Sequence, residues 1–600
     1  MRTRLTGLLA IAAIVASACS SSTATPTAGP TTAATPTPVA TPVVSPTPAG
    51  VDITNTTYKP TTPTKTGGSV VIAEWQFPET INVYYAQALT DVEAAQSMFN
   101  NLWIVTADLK YIPDLTTGVP TQANGGVALV GAGMDVKFSL KPGMKWSDGQ
   151  PIMCDDVKGT WEWQMDKAQT GLVGGTTGWE DITGVDGGTG TDCVIHYKAL
   201  YSGYLGLVAP LLPAHYLKTV PVAKATSDLY PMGNLASGVY SGPYIPTEVK
   251  TDAQITLKPN PNNATISGHA PYLDSVIWKY YGDADSMILG FKAGEFDVGQ
   301  NMQDSDLPKL KDLPADQVLA KPALVYELHA YNNKAIKEKY GDDYVAIIKA
   351  LKLATDREAI AAGPLGGTVV VSNNFISPLT WYYKDIGGSI KADPAGAKAL
   401  LEAAGWTVGA DGYYAKGGKT LSLEYCTTTR QVRQDTLALV ASQLKAVGIK
   451  ANVNAVPSQP NLFGSWNDEG SNVKCNMVHG NFDVAEFAYS SPLDPIGGYN
   501  VYHSSGIPDA APHNGQNITR TVLPELDAAY DIVKSNVDFD KIRAAMFTVQ
   551  DIYGNPDKNL YELPLYIRQD VWLHDSKIQN FTGNPTTFAG EWNIVDWWVK

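Results

Sequence analysis

Histidine is scarce in this chain, eight in 600 residues, and no His-Glu-x-x-His pair or other metal-ligand spacing occurs among them. His479, His503 and His513 share one stretch but are spaced too widely to hold nickel or haem, and they read as packing or surface residues. The Gly-x-Ser-x-Gly elbow of the α/β hydrolases is missing as well. An exported hydrolase therefore stands only as a rival without assigned residues, because nothing selects an acid/base pair from carboxylates such as Asp356 and Glu358. Positive charge is in deficit, 44 Lys and Arg against 59 Asp and Glu for a net charge of −15, which excludes a nucleic-acid partner. A nucleotide loop is excluded too: five residues separate Gly412 from Gly418-Lys419-Thr420 where a P-loop has four. Asp411-Gly412 and Gly417-Gly418 are hairpin turns instead. No catalytic residue, metal site or cofactor is assigned.

Long apolar runs are also few. Arg2 and Arg4 precede the apolar stretch Leu5 to Val15, then small residues Ala16, Ser17 and Ala18 lead to Cys19. This is an export signal, shorter than the roughly 20 apolar residues that a spanning helix needs. Ala-Ser-Ala-Cys resembles a bacterial lipobox, which makes 1–18 a removable signal peptide and Cys19 the lipid-attachment residue. From 20 to 66 the chain is almost wholly Ser, Thr, Pro, Ala and Val, a composition that forms no core; residues 19–66 read as a disordered, semi-extended tether. Cys154, Cys193, Cys426 and Cys475 remain in the exported body, where oxidation is available and three connectivities are open.

The body of about 530 residues exceeds one hydrophobic core and implies two or three domains. Gly68 to Glu74 predicts a first strand behind a Gly-Gly breaker, and Val92 to Leu102 has helical spacing. Asp135 to Lys141 alternates, with Val136, Phe138 and Leu140 on one face. Further on, Ala284 to Ala293, Pro394 to Ala404 and Asp435 to Ala446 read as helices, and Glu295 to Val298 and Ile449 to Val456 as strands. Strands and helices interleave throughout, so the class is α/β, mixed α+β.

Residues 134–157 read Met-Asp-Val-Lys-Phe-Ser-Leu-Lys-Pro-Gly-Met-Lys-Trp-Ser-Asp-Gly-Gln-Pro-Ile-Met-Cys-Asp-Asp-Val. Ser241-Gly242-Pro243-Tyr244, Pro271-Tyr272-Leu273-Asp274, Phe291 to Val298, Ala354 to Ile360, Leu400 to Trp406 and Phe482 to Ala485 follow in order. The series resembles the bacterial family 5 solute-binding proteins, which hold oligopeptide, dipeptide, nickel and some oligosaccharide binders of ABC importers. The resemblance implies a two-lobed clamshell of type II, like other periplasmic binding proteins, with an extra domain and a hinge between lobes. Domain I would combine 67–102, 233–325 and 561–600; domain II would be 103–232 and domain III 326–560. Each of the pairs Cys154 with Cys193 and Cys426 with Cys475 then falls within one domain, which, with loop closure, favours that pairing.

The same resemblance puts Trp75 and Asp91 in the cleft from domain I, Gln459, Tyr489, Ser490, Ser491 and Asp494 from domain III, and Arg568 close by. Peptide binders of the family carry an Asp two or three residues after the aromatic that aligns with Tyr489. Here the run is Tyr489-Ser490-Ser491-Pro492-Leu493-Asp494, with no acid in that place. The implied ligand is an oligopeptide, with an oligosaccharide stacked on Trp75 and Tyr489 as the alternative. The implied partner is the permease of an ABC importer, and the implied state is a monomer anchored outside the cytoplasm.

Overall fold

In a computed structural model of the protein the described residues are 50–600, apart from 87, 170–171, 173–175, 388–389, 465, 467–472, 511–512, 514 and 587–588. The signal segment, Cys19 and the tether as far as residue 49 lie outside them. The tether's expected end at 66 is corrected: residues 50–66 belong to the body. Ile53 is buried, and its carbonyl accepts from the Tyr111 amide at 2.7 Å. Tyr58 packs edge-on against Trp592 at 4.6 Å and donates to Asp596 at 3.0 Å. Composition misjudged this segment because its few apolar groups are spaced to reach pockets made elsewhere in the chain.

One 11-stranded mixed sheet runs through the body. Its first strand, Ser69–Glu74, is launched by Gly67 and Gly68 at φ of +101° and +89°, a region that Gly enters without steric cost. That turn brings the Gly68 amide onto the Asp274 carboxylate at 2.9 Å and seats the strand parallel to Ser275–Tyr280. Val298–Gln303 pairs parallel on its other side. Val70, Ile72 and Ala73 are fully buried, as expected of a strand covered on both faces.

Two long strands, Val318–Tyr331 and Glu562–His574, cross the middle of the sheet and pair antiparallel. The C-terminal half of the second pairs with Val298–Gln303, and the C-terminal half of the first pairs with Val484–Ser490, which leads on to Ser422–Thr428 and Lys450–Val456. Each half of the sheet thus has its own helices and cores. Ile72, Trp278 and Trp597 lie on one face of the near half and Met287, Phe291 and Leu573 on the other. Tyr326, Phe487 and Tyr530 pack one face of the far half, and Ile348, Leu437 and Leu565 the other. The two long strands lose register between Pro322 and Tyr326, where Ala323, Leu324 and Val325 oppose the single residue Arg568. Such a bulge bends its strand and re-aims side chains.

A separate four-stranded antiparallel sheet, Val127–Val130, Gly133–Ser139, Asp192–Tyr197 and Ile182–Asp186, carries the 134–157 block. Trp146 is fully buried there and donates to Asp156 at 3.2 Å, while Asp156 accepts the Met153 amide at 2.9 Å and so opens the helix Cys154–Gln164. Cys154 bonds to Cys193 and Cys426 to Cys475, as expected.

Two expected elements are corrected. The helix placed over 92–102 is Leu89–Gln96, because Ser97 and Met98 give their carbonyls to Tyr244 and Gly242 and the chain leaves the helix to pair there. The strand placed at 295–298 is Val298–Gln303, since the turn after the Ala284–Lys292 helix extends as far as Asp297. The hairpin reading of 407–420 holds: Thr407–Val408, Tyr414–Lys416 and Lys419–Thr420 form a small antiparallel sheet. His513 stacks on Trp466 and His479 packs tilted against it, with ring centroids 3.8 and 4.3 Å away, which makes both packing residues. Among the described residues no cluster of His, Cys, Asp or Glu suits a metal ion, and no helix is long and apolar enough to cross a membrane.

Candidate functional site

Where the long strands lose register, a cavity of about 420 Å³ opens between the two halves of the sheet. Asn301, Met302 and Gln303 reach it from the near half, Ser490 to Leu493 from the end of the Val484–Ser490 strand, and Arg568 to Trp572 from the long strand itself. Helix Leu89–Gln96 presents Leu89 and Glu93. The volume lies within the range of pockets for small organic ligands.

The far side of this cavity is organised by Glu327. Its carboxylate accepts from Arg433 at 3.0 and 3.2 Å and from Arg568 Nε at 2.9 Å, with a second contact from Arg568 Nη2. Burial alone would raise its pKa, but the charges of Arg568 and Arg433 outweigh burial and hold it at about 2. Arg433 also donates to Thr428, and Arg430 from the far half reaches Gln303 of the near half. Both Arg433 and Arg568 are thereby fixed in place.

The near side is acidic. Glu93 is 2 % exposed and Glu74 fully buried; burial first, and their mutual repulsion second, push Glu93 well above the carboxylate range, while Glu74 is pushed up to about 7 by burial. The two carboxyl groups hydrogen-bond to each other, and Glu74 also accepts from Asn301 at 3.2 Å. Asp570, half-buried in the cavity wall, is pushed up to about 7 by burial, opposed by Arg568 and reinforced by Asp304. Among the described residues neither Asp570, Glu93 nor Asp304 forms an ion pair.

Of the residues singled out from sequence, Arg568, Ser490 and Ser491 line this cavity. Ser491 is fixed there, donating to the Phe375 carbonyl at 2.6 Å and accepting the Ser377 amide at 3.1 Å. Trp75 stands one step behind, its indole N–H on the Asn301 carbonyl at 3.1 Å. Tyr489 packs edge-on against Phe487 at 4.8 Å and donates to the Gln516 carbonyl at 3.0 Å. Neither ring lines the cavity as described. Asp91 is buried and accepts the amides of Glu79 and Ala88 at 2.8 and 3.1 Å, which closes the loop before its helix. Asp494 accepts the Ile496 amide at 3.1 Å and faces an adjoining, mainly apolar cavity of about 360 Å³ that shares Leu493 with the first. Gln459 lies on the one-turn helix Ser458–Leu462, and its side chain is outside what is described.

Glu93, Glu327 and Asp570 escaped the sequence reading. Their signal was faint: an acid inside the small apolar run Val92 to Ala95, an acid between Tyr326 and Leu328, and Arg568-Gln569-Asp570 interrupting an otherwise apolar strand.

A sheet carried across two long strands, with a cavity walled from both halves at their bulge, defines a two-lobed binding fold. Residues 128–508 match the bacterial extracellular solute-binding proteins, family 5 Middle, and the chain belongs to that family. The oligopeptide-binding protein AppA of Bacillus subtilis (strain 168) is 28% identical over 451 residues, 74% of this chain and 77% of that protein. A probable ABC transporter-binding protein of Deinococcus radiodurans is 24% identical over 509 residues, 77% of this chain and 83% of the relative. Among solved structures, AppA from Bacillus subtilis in complex with a nonapeptide aligns at a TM-score of 0.66 and 24% identity, covering 90% of this chain and 100% of that one. The periplasmic EDTA-binding protein EppA aligns at 0.72 and 18% identity, covering 90% and 98%.

Proposed function

We propose that the protein captures an oligopeptide in the cavity between the two halves of the sheet and hands it to the membrane permease of an ABC importer. The observation that carries this reading is the cavity at the bulge of the two long strands, walled by residues of both halves. A ligand there touches both walls only when the lobes are closed, so binding selects the closed form. The names of relatives such as AppA support a peptide as the cargo. The absence of an aromatic platform from the described lining, apart from Trp572, gives an oligosaccharide less support.

Under this reading the lobes divide at the long strands, with domain I formed from residues before about 102, 233–325 and 561–600, domain II from 103–232 and domain III from 326–560. Cys19 carries the lipid, the segment to residue 49 is the tether, and the monomer works outside the cytoplasm without turnover of its cargo. Arg568, Ser490 and Ser491 contact the ligand directly. Trp75, Tyr489 and Gln459 contribute only if closure brings them onto it, and Asp91 and Asp494 keep their loops in shape.

Protein from residue 50 onward is tested by thermal shift against short peptides and oligosaccharides, because a ligand of the folded state must raise the melting temperature. A rise with peptides and none with sugars is expected; a rise with sugars alone overturns the reading.

A further inference from the structure

The expected Asp after Tyr489 is absent, and Asp494 is occupied with its own turn. The cavity nonetheless holds carboxylates, on the opposite wall. Asp570 projects from the second long strand into it, and Glu93 faces it from helix Leu89–Gln96. Glu93 is 2 % exposed, and apart from the Glu74 carboxyl, with which it shares a hydrogen bond, its Oε2 meets no donor among the described residues. A buried carboxyl whose one hydrogen-bond partner is a second carboxyl is poorly satisfied, and a ligand that brings N–H donors satisfies it better. Behind these two stand Asp304, also buried with a free Oδ2, and the Glu74 carboxyl.

Cations nearby are engaged elsewhere. Arg568, which lines the same cavity, gives its hydrogen bonds to Glu327; Arg433 does the same; Arg430 reaches Gln303. Asp570 and Glu93 therefore confront the cavity without a protein counter-charge at contact distance. Water satisfies such acids incompletely, whereas a compact cation with several N–H donors brings the charge that Asp570 lacks at contact distance.

We propose that Asp570, backed by Glu93, takes over the part of the missing acid and binds a primary ammonium group of the ligand, turning the bound peptide's amine toward the near lobe. This rests on the peptide reading above. An α-amino terminus and a lysine side chain carry the same ammonium chemistry, and the test separates them.

Protein from residue 50 onward is incubated with a pool of random nonapeptides, the same pool N-acetylated, and an N-acetylated pool without lysine, and retained peptide is quantified after gel filtration. Retention at least ten-fold lower for the N-acetylated pool identifies the amino terminus; a ten-fold loss only when lysine is also removed identifies the side chain. Asp570→Asn should retain all three pools alike, Glu93→Gln should narrow the difference, and the exposed Asp551→Asn should leave it unchanged. Equal retention of the three pools by the unmodified protein overturns the inference while leaving peptide binding intact, and that result needs no variant to fold. Retention of no pool overturns peptide binding and the inference together.

Discussion

The two walls of the cavity contain the same side chain, a buried carboxylate, in opposite electrostatic states. Glu327 on the far wall has two guanidinium groups and is held at about 2; Asp570 on the near wall has none at contact distance and is pushed up to about 7. Depth alone does not produce the difference, because Glu327 is the more deeply buried. Pairing does. The far wall is charge-complete within the protein and acts as scaffold at the bulge, whereas the near wall leaves its acids for another molecule to complete.

Breaking the complete wall has the largest expected effect. Glu327→Gln leaves Arg433 and Arg568 buried without their carboxylate, and removal of one partner of a buried pair costs about 3–5 kcal/mol. Chemical denaturation of ligand-free protein at pH 7 measures it. A loss below about 1 kcal/mol would mean that the guanidinium groups find water or Asp304 instead, and that this wall is no more self-contained than the other.

Little of this contrast was legible in the sequence. The strand–turn–helix of 134–157, the Gly67-Gly68 launch and the disulfide pairs could be read because each is local or fixed by a resemblance along the chain. Glu327 meets Arg433 and Arg568 across separations of 106 and 241 residues. No periodicity encodes such a meeting; it is created by the pairing of the two long strands. Trp75 and Tyr489 were attractive because aromatic rings suit pockets, yet rings suit cores equally well, and hydrogen bonds to Asn301 and Gln516 hold both beside the cavity rather than in it. The acids of the near wall were overlooked for the converse reason: an acid in an apolar run shows no partner in sequence, and Glu93 meets Glu74 only through the fold.

The comparison sharpens with pH. Glu327 has a folded pKa below its ordinary 4.5, so its contribution is complete above about 4.5 and disappears as pH falls through about 2, a loss of about 3 kcal/mol. Asp570 has a folded pKa above its ordinary 3.8, so its contribution is complete below 3.8 and is lost as pH rises through about 7. Together they place greatest stability of the ligand-free protein at mildly acidic pH. Melting curves from pH 2 to 8 should show both limbs, and Glu327→Gln should reduce the acid limb, to which Asp108 also contributes, and leave the other unchanged.

Asp570→Asn is expected to reverse the sign of the first substitution. At pH 7.5 it should stabilise the ligand-free protein by about 1–2 kcal/mol, since it removes a carboxylate that burial disfavours more than the more distant Arg568 favours it. A stabilising change that weakens ligand binding marks a residue kept for function. Destabilisation would instead show a cation, such as Arg430, reaching Asp570 in solution.

The smallest effect is expected at Glu93, for a reason that distinguishes it from Asp570. Its carboxyl is pushed well above the ordinary range by burial and by Glu74, which favours the neutral acid. Glutamine is nearly the same shape as that neutral acid and keeps a donor for the Glu74 carboxylate, so Glu93→Gln should change stability by no more than about 0.5–1 kcal/mol, read by denaturation at pH 7. Its consequence should appear on binding. An ammonium ion settling against Glu93 favours the ionised form and expels a proton, so the heat of peptide binding should vary with the ionisation enthalpy of the buffer in the unmodified protein. In Glu93→Gln that variation should shrink, leaving a binding heat less sensitive to the choice of buffer.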